Sequence, residues 1–285
     1  MVIALKAFIS VDLEGMPHIV SSSHLSLGGS LYNEARKIAT KITLITADEL
    51  HKRGFEEILI ADSHGPMINL LVEDLPEYAE LIRGSPRPLS MVSWIEECDV
   101  ALFLGYHAKA GTMKSTFDHT YSGASIFKVE LNGVEASEFL LNSWVAGYHD
   151  IPVILVAGEE KLLEEDVKKY APWAERVILK RSASRYAARS PSMKMIEKML
   201  RESVNNAVTK FRNREVKPLK IDEPVELKIT FMRSSFADAA SLLPRLDRLD
   251  GRTVKYEAKN IIEAYKVFQL LALVSSAISQ IAQRR

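Results

Sequence analysis

The segment Ile3-Ala4-Leu5-Lys6-Ala7-Phe8-Ile9-Ser10-Val11-Asp12-Leu13-Glu14-Gly15 is almost wholly apolar as far as Val11 and turns acidic at Asp12 and Glu14. A run with no polar face reads as a strand covered on both sides, so Ile3 to Val11 is a central strand of a parallel sheet. The same grammar recurs twice. Glu57 to Ala61 is a short strand that ends in Asp62-Ser63-His64-Gly65, and Val100 to Gly105 is a continuously apolar one that ends in Tyr106-His107-Ala108.

Helices alternate with these strands. Asn33 to Arg53 carries Ala35, Ile38, Ile42, Ile45 and Leu50 near the helical period, and Gly54 stands where a C-terminal cap glycine belongs. Ile126 to Leu131 is a strand meeting the tight-turn pair Asn132-Gly133. Val134 to Tyr148 reads as a helix, Ile151 to Ala157 as another buried strand, and Glu159 to Tyr170 as a charged surface helix. The alternation predicts an α/β fold, a mostly parallel sheet flanked by helices.

From about Arg181 the texture changes. Ser190-Pro191 is a helix start, N-cap then first turn, for a helix running to about Asn213. Arg214 to Pro224 is a charged linker, Val225 to Phe231 alternates as a half-buried strand, and a final helix runs from about Lys259 to the C-terminus. The expected organisation is a metal-binding catalytic α/β domain over 1–185 and a smaller α+β C-terminal part over 186–285.

Composition bounds the function. Of 285 residues, 47% are hydrophobic and 26% charged, as in a globular protein with a substantial core. Thirty-seven basic residues balance 37 acidic ones, which speaks against a nucleic-acid partner, since that needs a basic face. The single cysteine, Cys98, has no internal partner and points to a reducing compartment or a fold indifferent to redox, with the thiol buried and structural. Met1 to Val11 lacks a basic flank and a cleavage site, and Val267 to Ile281 is interrupted by polar residues and falls short of the ~20 residues of a span. The expectation is a cytoplasmic protein without a membrane segment.

In an open parallel sheet, ligands bind beyond the carboxyl ends of the strands. Three strands here deliver Asp12, Glu14, His64 and His107 to that edge, with Gly15, Gly65 and Gly105 allowing tight turns. Two carboxylates two residues apart share a face of an extended chain and repel unless a cation joins them. Imidazoles complete an N/O donor set that zinc accepts. Glu138 and Asn142 share a helix face, and Glu138 can add a third carboxylate. Five donors exceed the need of one tetrahedral zinc and suit a pair of ions.

Taken singly each signal is weak. An Asp-x-Glu is more often a solvated turn, and Asp-Ser-His-Gly can be a helix cap. The case rests on their joint placement. Asp62 is read as a group orienting a histidine ligand, and Asn142 as a hydrogen-bonding partner near Glu138. The long loop Lys109 to Ser122 starts beside His107 and brings His119 over the same edge, where it can move protons. His18, His24, His51 and His149 are expected at the surface.

Ser-x-Asp-x-Glu-Gly at 10–15, Asp-Ser-His at 62–64, Gly-Tyr-His-Ala at 105–108 and Glu-x-x-x-Asn at 138–142 occur in the order seen in the D-aminopeptidase family, the DppA-like binuclear zinc peptidases, which this chain resembles. Pro88 to Val92, Val145 to Tyr148 and Ala258 to Tyr265 extend the likeness over nearly the whole chain. The resemblance implies two zinc ions per subunit, bridged by Asp12 and completed by Glu14, His64, His107 and Glu138, with His119 catalytic. It also implies hydrolysis of the N-terminal residue, possibly a D-amino acid, from short peptides or aminoacyl amides, and a ring-shaped homo-oligomer of ten subunits. The loop Met16 to Ser30, with His18 and His24, is unlike the family pattern and could line the substrate pocket. Two other readings share the donor set. One is a further binuclear amidohydrolase or a phosphoesterase, for which Lys109 and Lys114 are the nearest cations. The other is a non-catalytic metal-binding assembly protein, which would not need His119.

Overall fold

A computed structural model describes residues 4–283; Ile3, expected to begin the first strand, lies outside them, as do residues 284 and 285. The chain begins with β1 (Leu5–Val11), a short α1 (Ser22–Leu25) and α2 (Tyr32–Lys52). Then come β2 (Phe55–Asp62), β3 (Ala79–Ile82) and β4 (Val100–Tyr106). A hairpin of β5 (Ile126–Leu131) and β6 (Val134–Glu135) precedes α3 (Glu138–Tyr148) and β7 (Val153–Glu159). Two short pieces, α4 (Glu160–Leu162) and α5 (Lys168–Tyr170), flank a π-helical stretch at Leu163–Val167. β8 (Glu175–Ser184), β9 (Ala187–Arg189) and α6 (Met193–Arg212) follow. The chain closes with β10 (Val225–Phe231), α7 (Ser234–Ala240), β11 (Leu246–Arg248), β12 (Thr253–Ala258) and α8 (Ile261–Gln283).

The first sheet runs β3-β2-β1-β4-β7-β8-β9, parallel except for the β8–β9 pair. Successive strands leave β1 in opposite directions, β2 to one side and β4 to the other. The sheet therefore reverses its winding between β1 and β4, and a crevice opens there at the carboxyl ends. β1, β4 and β7 are buried nearly end to end, which explains their unbroken apolar sequence. One face is covered by α2 and α6, which pack on each other. The other face is covered by α3 and, beyond it, by α8.

The second sheet is antiparallel, β11-β12-β10-β5-β6, and packs against α8. It draws β5 and β6 from before residue 185, while α6, from after it, covers the first sheet. β10 alternates buried and half-buried positions along Val225–Phe231, the pattern of a sheet with one face on the core.

Three local expectations are corrected. The helix expected over Val134 to Tyr148 starts only at Glu138, capped by Ser137; Val134 and Glu135 are the return strand of the hairpin turned by Asn132 and Gly133, both at positive φ. α6 is capped by Ser192, whose hydroxyl accepts from the Met195 amide, and not by Ser190. The apolar run ending at Ile281 belongs to a longer helix: among the described residues, α8 alone is long and apolar enough to cross a bilayer. One side of it buries Tyr265, Phe268 and Leu271, while Leu270 and Leu273 are exposed.

Candidate metal centre

Backbone packing explains why the turn after β1 is sharp. The Asp12 amide donates to Leu104 O at 2.8 Å and the Gly15 amide to Gly105 O at 2.6 Å, so the turn lies against the end of β4. A Cβ at Gly15 would stand 1.9 Å from Tyr106 O, and one at Gly105 2.0 Å from Asp12 O, so neither position accepts a side chain. The turn is thereby held where Asp12 and Glu14 both reach the crevice.

His64 arrives from the end of β2. Its Nδ1 lies 2.7 Å from Glu14 Oε2 and 3.4 Å from Asp12 Oδ1. His107 arrives from β4, with Nε2 3.5 Å from Asp12 Oδ2 and 3.7 Å from Glu138 Oε1. Glu138 is the first residue of α3, and the Tyr121 amide donates to its Oε1 at 2.7 Å. His119 Nε2 sits 3.9 Å from Glu14 Oε1 and 3.8 Å from Glu138 Oε1. Its ring lies 4.4 Å from that of His107. The six side chains form overlapping donor groups, among them Asp12-Glu14-His64 and Asp12-His107-Glu138, with donor atoms within 4.8 Å of one another. Asp12 belongs to both.

Each imidazole is aimed by a backbone carbonyl on its far nitrogen. His64 Nε2 meets Leu25 O at 2.9 Å, His107 Nδ1 meets Ala108 O at 3.1 Å, and His119 Nδ1 meets Phe117 O at 2.6 Å. In the neutral form of each ring, a proton on that nitrogen, donated to the carbonyl, leaves the other nitrogen's lone pair facing the carboxylates; without a cation His64 instead carries a second proton on Nδ1 toward Glu14. This is the arrangement that orients histidine ligands.

Electrostatics mark the cluster as strained. Burial pushes the Asp12 carboxyl well above its ordinary range, and Glu14 adds to the shift. Burial also tends to raise Glu14, but the His64 imidazole, by charge and hydrogen bond, reverses this and holds Glu14 well below the usual range. For His64, the pull of Glu14 and Asp12 overcomes burial and raises it well above 6.5. Burial, with the neighbouring His119, depresses His107 to about 3, and burial raises Glu138. Asp12 Oδ2 and His107 Nε2 are buried without a hydrogen-bond partner, which is costly unless a cation joins them.

Other expected residues fall elsewhere. Asp62 touches no imidazole; it accepts from Asn69 Nδ2 at 2.6 Å and the Leu70 amide at 2.7 Å, and so shapes the loop behind His64. Asn142 bonds Tyr106 and Tyr265, not Glu138. The 16–30 loop does not line the crevice; it supplies Leu25 O to His64. His24, expected at the surface, is buried, its Nδ1 accepting from the Ser21 amide as part of the α1 cap, whereas His18 is exposed. Cys98 is buried, which pushes its thiol up to about 12.

Sequence reasoning missed one wall of the crevice. The cavity, about 370 Å³, is bounded on its far side by Gln269, Leu273, Ser276 and Gln280, one stripe of α8. Only their helical spacing hinted at a common face. Among the described residues no Lys or Arg lines this cavity. Lys109 is instead paired with Asp166 at 3.1 Å.

The fold and donor set together define an α/β protein with a candidate metal centre at the switch point of its parallel sheet. Comparison with known proteins agrees. The D-aminopeptidase family (Peptidase_M55) matches residues 5–270. A D-aminopeptidase of Bacillus subtilis (strain 168) is 33% identical over 273 residues, 94% of this chain and 96% of that protein. A solved structure described as the Zn-dependent D-aminopeptidase DppA from Bacillus subtilis, a self-compartmentalizing protease, superposes with a TM-score of 0.90 at 31% identity, covering 95% of this chain and 98% of the other. The chain belongs to the D-aminopeptidase family.

Proposed function

We propose that this protein is a zinc-dependent aminopeptidase that removes the N-terminal residue, of D configuration, from short peptides or aminoacyl amides. The observation that carries the reading is the pair of donor groups sharing Asp12, with buried oxygen and nitrogen atoms lacking partners inside them. Asp12, Glu14 and His64 would hold one zinc ion; Asp12, His107 and Glu138 would hold the second. Carboxylate and imidazole donors with carbonyl-oriented rings suit zinc. Ions held there would act as Lewis acids on the scissile carbonyl and on the attacking water.

The chain's own groups do the rest. Among the described residues the crevice is lined by Asp12, Glu14 and Glu138 and by no Lys or Arg, which favours a substrate arriving as a free ammonium over a phosphoester. The Phe117 carbonyl fixes the His119 ring, so its Nε2 is the nitrogen presented to the crevice, where it can pass a proton or stabilise a developing oxyanion. Asn142, Tyr106 and Tyr265 keep α3 and α8 in register behind Glu138.

The D preference and the assembly are read from the relatives, one of which is described as self-compartmentalizing. A cytoplasmic ring of ten subunits is the arrangement we infer. Light scattering should then give ten times the chain mass. The test of function is a panel of D- and L-aminoacyl amides on metal-analysed protein. Turnover of the D series that is abolished by a chelator and restored by zinc supports the reading. Full turnover by metal-free protein, or none with zinc at two ions per chain, contradicts it.

A further inference from the structure

Lys180 departs from the rule that the rest of the core keeps. It lies within β8, is fully buried, and is among the largest side chains that are so. Among the described residues its ammonium forms no ion pair. It donates instead to two backbone carbonyls, Glu14 O and, at 2.7 Å, Ile19 O. The Phe117 ring covers it, with the centroid 5.5 Å from Nζ. Burying an ammonium with no carboxylate in contact is costly, and burial pushes this lysine down to about 7 against the opposing pull of Glu14, Glu159 and Asp12, whereas a methionine would fill the same space without that cost.

The geometry shows what the charge reaches. In the sheet, β8 is separated from β1 by β4 and β7. The segment after β1 bends over the end of β4, where the Gly15 amide meets Gly105 O. Lys180 extends from the far side and catches the same segment at both ends, at Glu14 and at Ile19. Gly15 therefore pins the turn from below and Lys180 pins it from the side. The two carboxylates that this turn carries, Asp12 and Glu14, have to stand close together against their mutual repulsion. Phe117 also links the two parts of the site: its ring covers Lys180 while its carbonyl orients His119.

We propose that Lys180 is a positioning residue for the metal centre: by clamping the Glu14 and Ile19 carbonyls it fixes the turn bearing Asp12 and Glu14 and so sets the affinity of the site for zinc. The inference rests on the zinc reading above. Groups that orient ligands typically change metal affinity about 10- to 100-fold when lost. The experiment compares the holoprotein with Lys180→Met and Lys180→Arg. Each is titrated with a competing chromophoric chelator to obtain its zinc affinity, and circular dichroism is recorded with and without zinc. Lys180→Met should keep its helix and strand content yet lose zinc at a chelator concentration at least about tenfold lower. Lys180→Arg, which retains a cationic donor, should recover part of that loss. Wild-type zinc affinity in Lys180→Met would overturn the assignment, as would failure of both variants to fold with zinc present, which would make the lysine a structural strut. A wild-type chain that binds no zinc would instead sink the function proposed above, and this assignment with it.

Discussion

Two buried polar regions lie side by side in this molecule and are built to opposite specifications. In one, Ser63, Ser10, Tyr106, Asn142 and Tyr265 form a chain. Ser10 Oγ stands 2.8 Å from both Ser63 Oγ and Tyr106 Oη, and Asn142 joins Tyr106 and Tyr265 at 2.8 Å each. Every group in it has a partner. In the other, Asp12, Glu14, His64, His107 and Glu138 crowd like charges together and leave Asp12 Oδ2 and His107 Nε2 unpaired. Buried polar groups that satisfy one another hold a fold together; buried polar groups that do not are held for something else. The first region is the scaffold of the second, because Asn142 stands one helical turn beyond Glu138 on α3.

Mutations should separate the two. The largest effect belongs to the shared donor: Asp12→Asn should drop turnover below detection and lower the zinc content, both read on the same preparation. Next, His119→Ala should reduce kcat by about 10²- to 10⁴-fold while leaving zinc content unchanged, since the ring is proposed to move a proton and not to hold an ion. Loss of zinc in that variant would transfer His119 to the ligand set.

Asn142→Leu addresses the scaffold. It leaves the hydroxyls of Tyr106 and Tyr265 without their amide partner and should cost about 1–3 kcal/mol of stability by urea unfolding, with zinc still bound. A fall in zinc content larger than the fall in stability would merge the two regions into one.

The pH dependence of the metal-free protein gives a further separation. His107 is depressed by burial, and by His119, to about 3, below its unfolded value of 6.5. Its contribution is therefore present above 6.5 and lost as pH falls from there toward about 3. His64 is raised, so its contribution is present below 6.5 and lost as pH climbs through its higher folded value. Urea midpoints of wild type and His107→Asn should thus be furthest apart above pH 6.5 and draw together as pH falls from there toward about 3; a gap unchanged over that interval would contradict the buried, neutral imidazole. The smallest effect concerns Cys98. Its thiol, pushed up to about 12 by burial, should resist alkylation at pH 8 until the protein unfolds.

Much of the first sheet was legible because buried parallel strands are apolar throughout, and β1 and β4 carry no competing pattern. The donor residues were legible for the same reason: Asp12, His64 and His107 stand where apolar runs break off. Side-chain partners were harder. Asp62 was read as an imidazole's partner, yet it spends both oxygens on Asn69 and Leu70, because the loop behind His64 folds back in a way no local spacing announces. The strand β8 was not read as a strand at all. Its sequence Glu-Arg-Val-Ile-Leu-Lys-Arg-Ser sets only three apolar residues between two charged pairs, and a lysine at that edge looks solvated. Only the bend of the distant segment 14–19 makes it a buried clamp. The stripe of α8 that walls the crevice was equally invisible, since its polar members Gln269, Ser276 and Gln280 look like the wet side of a helix.

The central claim is that five side chains from β1, β2, β4 and α3 hold a pair of zinc ions. Anomalous diffraction at the zinc absorption edge, on crystals grown with zinc, tests it directly. Two peaks should appear on either side of the Asp12 carboxylate, one beside His64 and one beside His107. A single peak elsewhere, or none at these residues in zinc-replete crystals, would contradict the account.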